Sequence, residues 1–86
     1  MHLMAIFLDV NHLRRELGRQ LTHDEIESLM QYAAWAQRPK PKPEDSEYHQ
    51  FMTVRCRAFL IYREAVKRSG KDTTEFDEVL SEYQPS

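Results

Sequence analysis

Apolar residues recur every three or four positions along most of the chain, which is the spacing of one face of an α-helix. They do so in four segments, 3–17, 22–37, 45–69 and 73–83. Three of the four prolines lie together between the second and third segments, at 38–43. The pattern predicts an all-α fold, a compact bundle of about four helices with a Pro/Lys connector at 38–43.

The first segment is the least certain in type, because residues 4–10 also suit a β-strand. Its end is better marked, since Gly18 follows directly and glycine commonly closes a helix with a positive φ. Gly70 occupies the same position after the third segment. We therefore expect helices to end just before both glycines.

Two helix starts carry recognisable capping pairs. Thr22 and Glu25 have the spacing of a capping box, in which side chain and backbone bond reciprocally. Asp72 and Glu75 form a similar pair before the last segment. We expect both pairs to cap their helices.

The second helix is predicted to bury one face and to turn its single tryptophan away from it. Trp35 falls on the opposite side of the helical wheel from most apolar residues. There the indole would either pack locally against Pro39 or Pro41 or serve as an exposed anchor for another protein. The residues predicted to face inward are Ile26, Leu29, Met30, Tyr32, Ala33 and Ala36.

The third helix has apolar residues over more than half of its circumference, which one neighbouring helix cannot cover. It is either a central helix touched from two sides or a helix that keeps apolar surface for another chain. Arg55 lies within this arc, where a core leucine would be expected. Its guanidinium would need either an internal carboxylate or a partner across an interface.

Composition supports one soluble domain spanning 1–86. The chain of 86 residues has 41% hydrophobic and 30% charged residues, enough apolar content for a small core. Cys56 is the only cysteine, which excludes an internal disulfide and favours a reducing, cytoplasmic location. Residues 1–10 are apolar without a basic start, so we expect neither a signal peptide nor a membrane span there.

No pattern in the sequence predicts catalysis. The four histidines are not spaced as metal ligands, and no glycine-rich phosphate loop is present. The adjacent His23 and Asp24 point about 100° apart on a helix, which suits an ordinary first turn. Cys56 lies in the apolar arc, where burial makes a thiol unreactive. We expect no enzymatic activity, metal or cofactor.

Protein binding is the function that the pattern favours, because the wide apolar arc lies near aromatic and arginine residues suited to anchor a partner. We expect a small regulator, inhibitor or adaptor that occludes a helix face, associates with itself or another protein, and fits the size of phage or mobile-element accessory proteins. The predicted partner-binding residues are Trp35, Tyr48, Phe51, Arg55 and Tyr62.

Nucleic-acid binding is the alternative, although the net charge is −2. A helix-turn-helix built from the first two helices is disfavoured, because the start of the second carries Asp24, Glu25 and Glu27, which phosphates would repel. The basic residues that would serve this alternative are Arg38, Lys40, Lys42, Arg57, Lys67 and Arg68.

Overall fold

The computed structural model describes residues 10–83, which form four α-helices. These are α1 (Val10–Leu17), α2 (His23–Trp35), α3 (Tyr48–Arg68) and α4 (Thr74–Ser81). The predicted all-α bundle is confirmed. Residues 3–9 of the predicted first helix, and nearly all of the strand alternative at 4–10, lie outside the described residues.

The long helix α3 is the centre of the bundle. Each of the other three helices packs against it. The first of the two arrangements predicted for the wide apolar arc is therefore correct: α3 is touched from several sides within one chain. No helix in the described part of the chain has both the length and the apolar character needed to cross a membrane.

The buried side chains form two clusters along α3. The larger, which we call cluster 1, joins α1, α2 and α4 to the second half of α3 and includes Leu13, Leu29, Tyr62 and Phe76. The smaller, cluster 2, lies at the first half of α3. It consists of Trp35, Phe51, Met52 and Val54.

Both glycines end helices as predicted. Gly18 has φ 68° and Gly70 has φ 78°, in the left-handed region that residues with a side chain rarely adopt. After Gly70, the amide of Lys71 donates to the carbonyl of Val66 at 3.1 Å. This bond turns the chain back toward α4.

The two predicted caps differ in outcome. Thr22 and Glu25 form the complete capping box at the start of α2. The Asp72 and Glu75 pair does not cap α4: the N-cap residue is Thr73, without a side-chain bond to the backbone. Asp72 instead accepts hydrogen bonds from the amide and hydroxyl of Thr74, because a short carboxylate closes a local turn readily.

The buried face of α2 also differs from the prediction. Trp35 is buried, whereas Met30 is 66% exposed and Ala36 is exposed. The indole packs edge-on against Phe51 of α3, with ring centroids 5.5 Å apart. Burying the larger ring rotates the helix so that Met30 lies outside.

The connector extends further than predicted, since α3 begins at Tyr48 instead of residue 45. Asp45 accepts a hydrogen bond from the amide of Lys42 at 2.9 Å, which forms a turn before the helix. Pro41 is buried although its neighbours are exposed. The connector is thus fixed to the bundle at its middle.

Candidate protein-binding site

Four of the five predicted partner-binding residues gather around the first half of α3. Trp35 packs on Phe51, and the guanidinium carbon of Arg55 lies 5.5 Å from the Phe51 ring centroid. Tyr48 packs at the edge of cluster 2. Tyr62 lies apart from them, deep in cluster 1.

These residues are mostly covered within the single chain. Trp35, Phe51, Arg55 and Tyr62 are all buried, and Tyr48 is half-buried. The expectation that α3 has more apolar surface than its own chain can cover is wrong for the described residues. The one large apolar side chain of α3 that is exposed there is Leu60, at 57%.

Arg55 finds its carboxylate inside the chain. Its Nη2 donates to Oε2 of Glu82 at 2.7 Å, and Lys40 lies 3.9 Å from the same oxygen. The Arg55 side chain is only 9% exposed, against 51% for Glu82. The buried Nε of Arg55 has no hydrogen-bond partner. The internal-carboxylate alternative for Arg55 is therefore the one observed.

Tyr83 covers the neighbouring part of α3. Its ring packs edge-on against Tyr48 at 6.1 Å between centroids, and its hydroxyl is hydrogen-bonded to Nδ1 of His49. Its carbonyl accepts a weak bond from the Cys56 thiol at 3.4 Å. Burial raises the pKa of Cys56, so the thiol is protonated at neutral pH and poorly nucleophilic.

The predicted nucleic-acid-binding residues do not form one patch. Arg38 is bonded to Glu47 at 3.1 Å and lies over the Trp35 indole at 4.3 Å, while Lys40 faces Glu82. Lys67 and Arg68 lie at the far end of α3, roughly 30 Å along its axis from Tyr48. Carboxylates therefore pair with Arg38 and Lys40, whereas Arg57 lies at the middle of α3 and Lys67 and Arg68 lie at its end.

Among residues 10–83, the outer face of α2 carries an exposed apolar surface. Met30 is 66% exposed and lies in a shallow depression together with Ile26 and Ala34. The described rim of the depression is polar and consists of His23, Glu27 and Gln31. We call these six residues the α2 face.

This surface was not predicted, because helical spacing placed Met30 on the inward side. Ile26, which was also predicted to face inward, is half-buried and packs against cluster 1 while it lines the depression. The arrangement of residues around α2 could nevertheless have predicted its buried side. Leu29, Tyr32 and Trp35 also share one side, and choosing the side with more aromatic area would have turned Met30 outward. The total number of apolar residues on each side did not decide the burial.

A second groove, between α2 and α3, is polar. It is lined by Asp24, Glu27, Ser28, Gln31 and Arg57. Within residues 10–83, no three His, Cys, Asp or Glu side chains are grouped so that they could hold a metal ion. The two grooves thus differ in character, and the apolar one suits a protein partner better.

Comparison with protein-family models, with curated proteins and with solved structures gave no match in any of the three searches.

Proposed function

We propose that this chain is a protein-binding module that acts as a small regulator, inhibitor or adaptor through the α2 face. The observation that carries the proposal is the 66% exposure of Met30 beside Ile26 and Ala34. Methionine is flexible and polarisable, which suits a surface that adapts to a partner. Spacing of four residues places the three side chains in one row along the helix.

The partner that fits this face is a helix of another protein with an apolar stripe. Such a stripe can pack beside the row formed by Ile26, Met30 and Ala34. Glu27 lies on the rim of this depression, so a lysine or arginine beside the partner's stripe would be complementary in charge. Binding would cover the partner's stripe, which is the predicted mode of occlusion applied to a different face.

Leu60 provides a matched control for this proposal. It is the other large hydrophobic residue that is exposed among residues 10–83, at 57%, but it lies on α3. A lysine at either position adds the same charge at a similarly exposed site, so each change should alter the free energy of unfolding by less than about 0.5 kcal/mol. Any difference between the variants therefore reports on binding.

The test compares Met30→Lys with Leu60→Lys and the wild type in affinity purification from the cells that carry the gene. We expect Met30→Lys to reduce capture of specific partners by about tenfold or more, as for a central interface residue, while Leu60→Lys retains them. Circular dichroism verifies that both variants are folded. Equal capture by all three proteins would disprove the proposal.

Nucleic-acid binding remains a prediction. The ion pairs of Arg38 with Glu47 and of Lys40 with Glu82 reduce the positive charge that these residues could offer to phosphates. Titration of a labelled DNA or RNA duplex at low salt tests it. Affinity that falls steeply with added salt would favour it over protein binding.

A further inference from the structure

We infer that the groove between α2 and α3 binds a small zwitterion, a ligand that carries both an ammonium group and a carboxylate. This groove, which we call the polar groove, is lined by Asp24, Glu27, Ser28, Gln31 and Arg57. The inference does not depend on the α2 face or on the partner proposed for it.

Ser28 is the residue that points to a ligand. It is only 8% exposed, and it lines the polar groove. A serine inside a helix often donates to a backbone carbonyl one turn earlier. Among residues 10–83, the Ser28 hydroxyl makes neither this bond nor another hydrogen bond. The hydroxyl is therefore a free donor that opens into the groove.

Two opposite charges face the polar groove without pairing. Asp24 lies in the first turn of α2, and Arg57 lies on α3. Neither side chain forms an ion pair or a hydrogen bond with any residue of the described range 10–83. Four other arginines, by contrast, each bond a carboxylate: Arg19, Arg38, Arg55 and Arg63. Asp24 and Arg57 are thus held apart, and a molecule with both charges can bridge them.

Glu27 adds a second carboxylate that its own helix holds in position. Nε2 of Gln31 donates to Oε1 of Glu27 at 3.1 Å, and Nε2 of His23 lies 4.0 Å from Oε2. Asp24, Glu27 and Gln31 follow one another at spacings of three and four, so they form a row along α2. Two carboxylates therefore come from α2, and the guanidinium comes from α3.

These charges select the class of ligand. The carboxylates would repel a phosphate or another simple anion, and Arg57 would repel a simple cation. An ammonium group beside Asp24 and Glu27, with a carboxylate beside Arg57 and the Ser28 hydroxyl, satisfies all four residues. The volume of the groove, about 420 Å³, lies within the range of small-molecule sites. The ligand is therefore a zwitterion whose charges are far enough apart to reach from α2 to α3.

Amino acids with increasing distance between the two charges test this inference. Glycine, γ-aminobutyrate and ε-aminocaproate are titrated separately into the isotopically labelled protein, and the amide shifts are followed by nuclear magnetic resonance. We expect ε-aminocaproate to bind with a Kd of about 1 mM, as suits so small a ligand. Glycine should bind at least about tenfold more weakly, because its adjacent charges cannot span the groove.

Hexylamine and hexanoate are the matched control ligands, since each has the chain length of ε-aminocaproate and only one of its charges. Both should bind at least about tenfold more weakly than ε-aminocaproate. Equal binding of hexylamine and ε-aminocaproate would overturn the inference. So would amide shifts of Ser28 and Arg57 that stay unchanged throughout the series.

Variants of the charged residues test which groups recognise the ligand. Arg57→Gln and Asp24→Asn each remove one charge at nearly constant size, and each should weaken binding of ε-aminocaproate by about tenfold. Arg14→Gln and Glu78→Gln remove the same charges from exposed positions on α1 and α4. These two controls should keep the wild-type affinity, and an equal loss in all four variants would contradict a site in the groove.

Ser28→Ala separates binding from folding. Alanine removes a buried hydroxyl that has no partner, and it is the better helix former, so Tm should rise. Binding of ε-aminocaproate should nevertheless weaken by about threefold, because one hydrogen bond to the ligand is lost. A higher Tm with unchanged affinity would overturn the inference, since Ser28 is the residue that points to a ligand.

The same two charges occur in a free basic amino acid and at the end of a peptide. Free lysine and the peptide Gly-Gly-Lys distinguish these sources, because both carry a side-chain ammonium group and a terminal carboxylate. Tighter binding of lysine assigns the groove to an amino acid, and tighter binding of the peptide assigns it to a peptide terminus. None of these titrations contains a partner protein, so their results are independent of the partner-capture test.

Discussion

Arg55 shows how a single buried charge can be specified by a residue distant in sequence. Its position in the apolar arc of α3 was evident from helical spacing, as was its need for a carboxylate. Its partner, Glu82, lies 27 residues away and is the C-cap residue of α4. Several carboxylates on α4 were equal candidates by sequence. Only the packing angle of α4 against α3 decides among them.

The Arg55 and Glu82 pair should respond unequally to removal of its two members. Glu82→Ala leaves the buried guanidinium of Arg55 unpaired, although water can reach the half-exposed position of Glu82. We expect a loss of about 2 kcal/mol in the free energy of unfolding. Arg55→Met removes the charge and retains the apolar stem, so its cost should be less than about 1 kcal/mol. Urea unfolding of both variants measures the difference.

The reverse order, with Arg55→Met the more harmful, would show that the ion pair itself stabilises the fold. A variant with both Arg55→Met and Glu82→Ala then separates the contribution of the ion pair from the cost of the unpaired charge. If the guanidinium needs Glu82 only because it is buried, adding Glu82→Ala to Arg55→Met should cost little more.

Among the elements, α2 has the start that sequence predicts best. A capping box depends on residues three apart, so Thr22 and Glu25 could be paired without knowledge of the fold. The ion pairs around it could not be predicted. Arg19 bonds both carboxylate oxygens of Glu25 at 2.9 and 3.0 Å, and it reaches Glu64 of α3 at 3.2 Å. The contact between Arg19 and Glu64 forms only because α2 packs against α3, which the spacing of residues in the sequence does not show.

Features that depend on neighbouring residues were mostly predicted correctly, whereas features that depend on contacts between helices were often predicted wrongly. The end of α3 at Gly70 follows from one residue's conformational freedom and was predicted. The orientation of α2 follows from the contact of Trp35 with Phe51, which lies across the connector. The failure of Asp72 and Glu75 to form a capping box reflects a competing local turn at Thr74. Spacing alone does not rank such alternatives.

Glu25 should make the stability of the bundle dependent on pH. The hydrogen bonds from Arg19 lower its pKa from an ordinary 4.5 to about 2. A lowered pKa stabilises the folded state above pH 4.5 and loses that effect as pH falls toward about 2. Because the Arg19 side chain is 38% exposed, water screens the pair, and we expect a contribution of about 1 kcal/mol.

The measurement compares thermal unfolding of the wild type and Glu25→Gln from neutral pH to about pH 2. The wild type should be more stable near neutrality, and the difference should shrink between pH 4.5 and about 2. Lowered pKa values of Asp72 and Asp77 act in both proteins alike, so they cancel in the difference. A difference that stays constant with pH would contradict the role of the Arg19 contact.

At the scale of the whole molecule, α3 connects the two buried clusters into one unit. Its first half contributes Phe51, Met52 and Val54 to cluster 2, and its second half contributes residues such as Phe59 and Tyr62 to cluster 1. Tyr32 of α2 packs against both clusters. Because no break in α3 separates them, we expect the clusters to unfold together.

Leu13→Ala tests this coupling, because Leu13 is fully buried in cluster 1 while the only tryptophan, Trp35, belongs to cluster 2. The cavity should cost about 3 kcal/mol. If the clusters unfold as one unit, Trp35 fluorescence and far-ultraviolet circular dichroism should shift to the same lower urea midpoint. Fluorescence that keeps the wild-type midpoint while circular dichroism shifts would mean that cluster 2 folds independently of α1. In that case the first half of α3, with the connector and Tyr83, would have to be regarded as a separate folding unit.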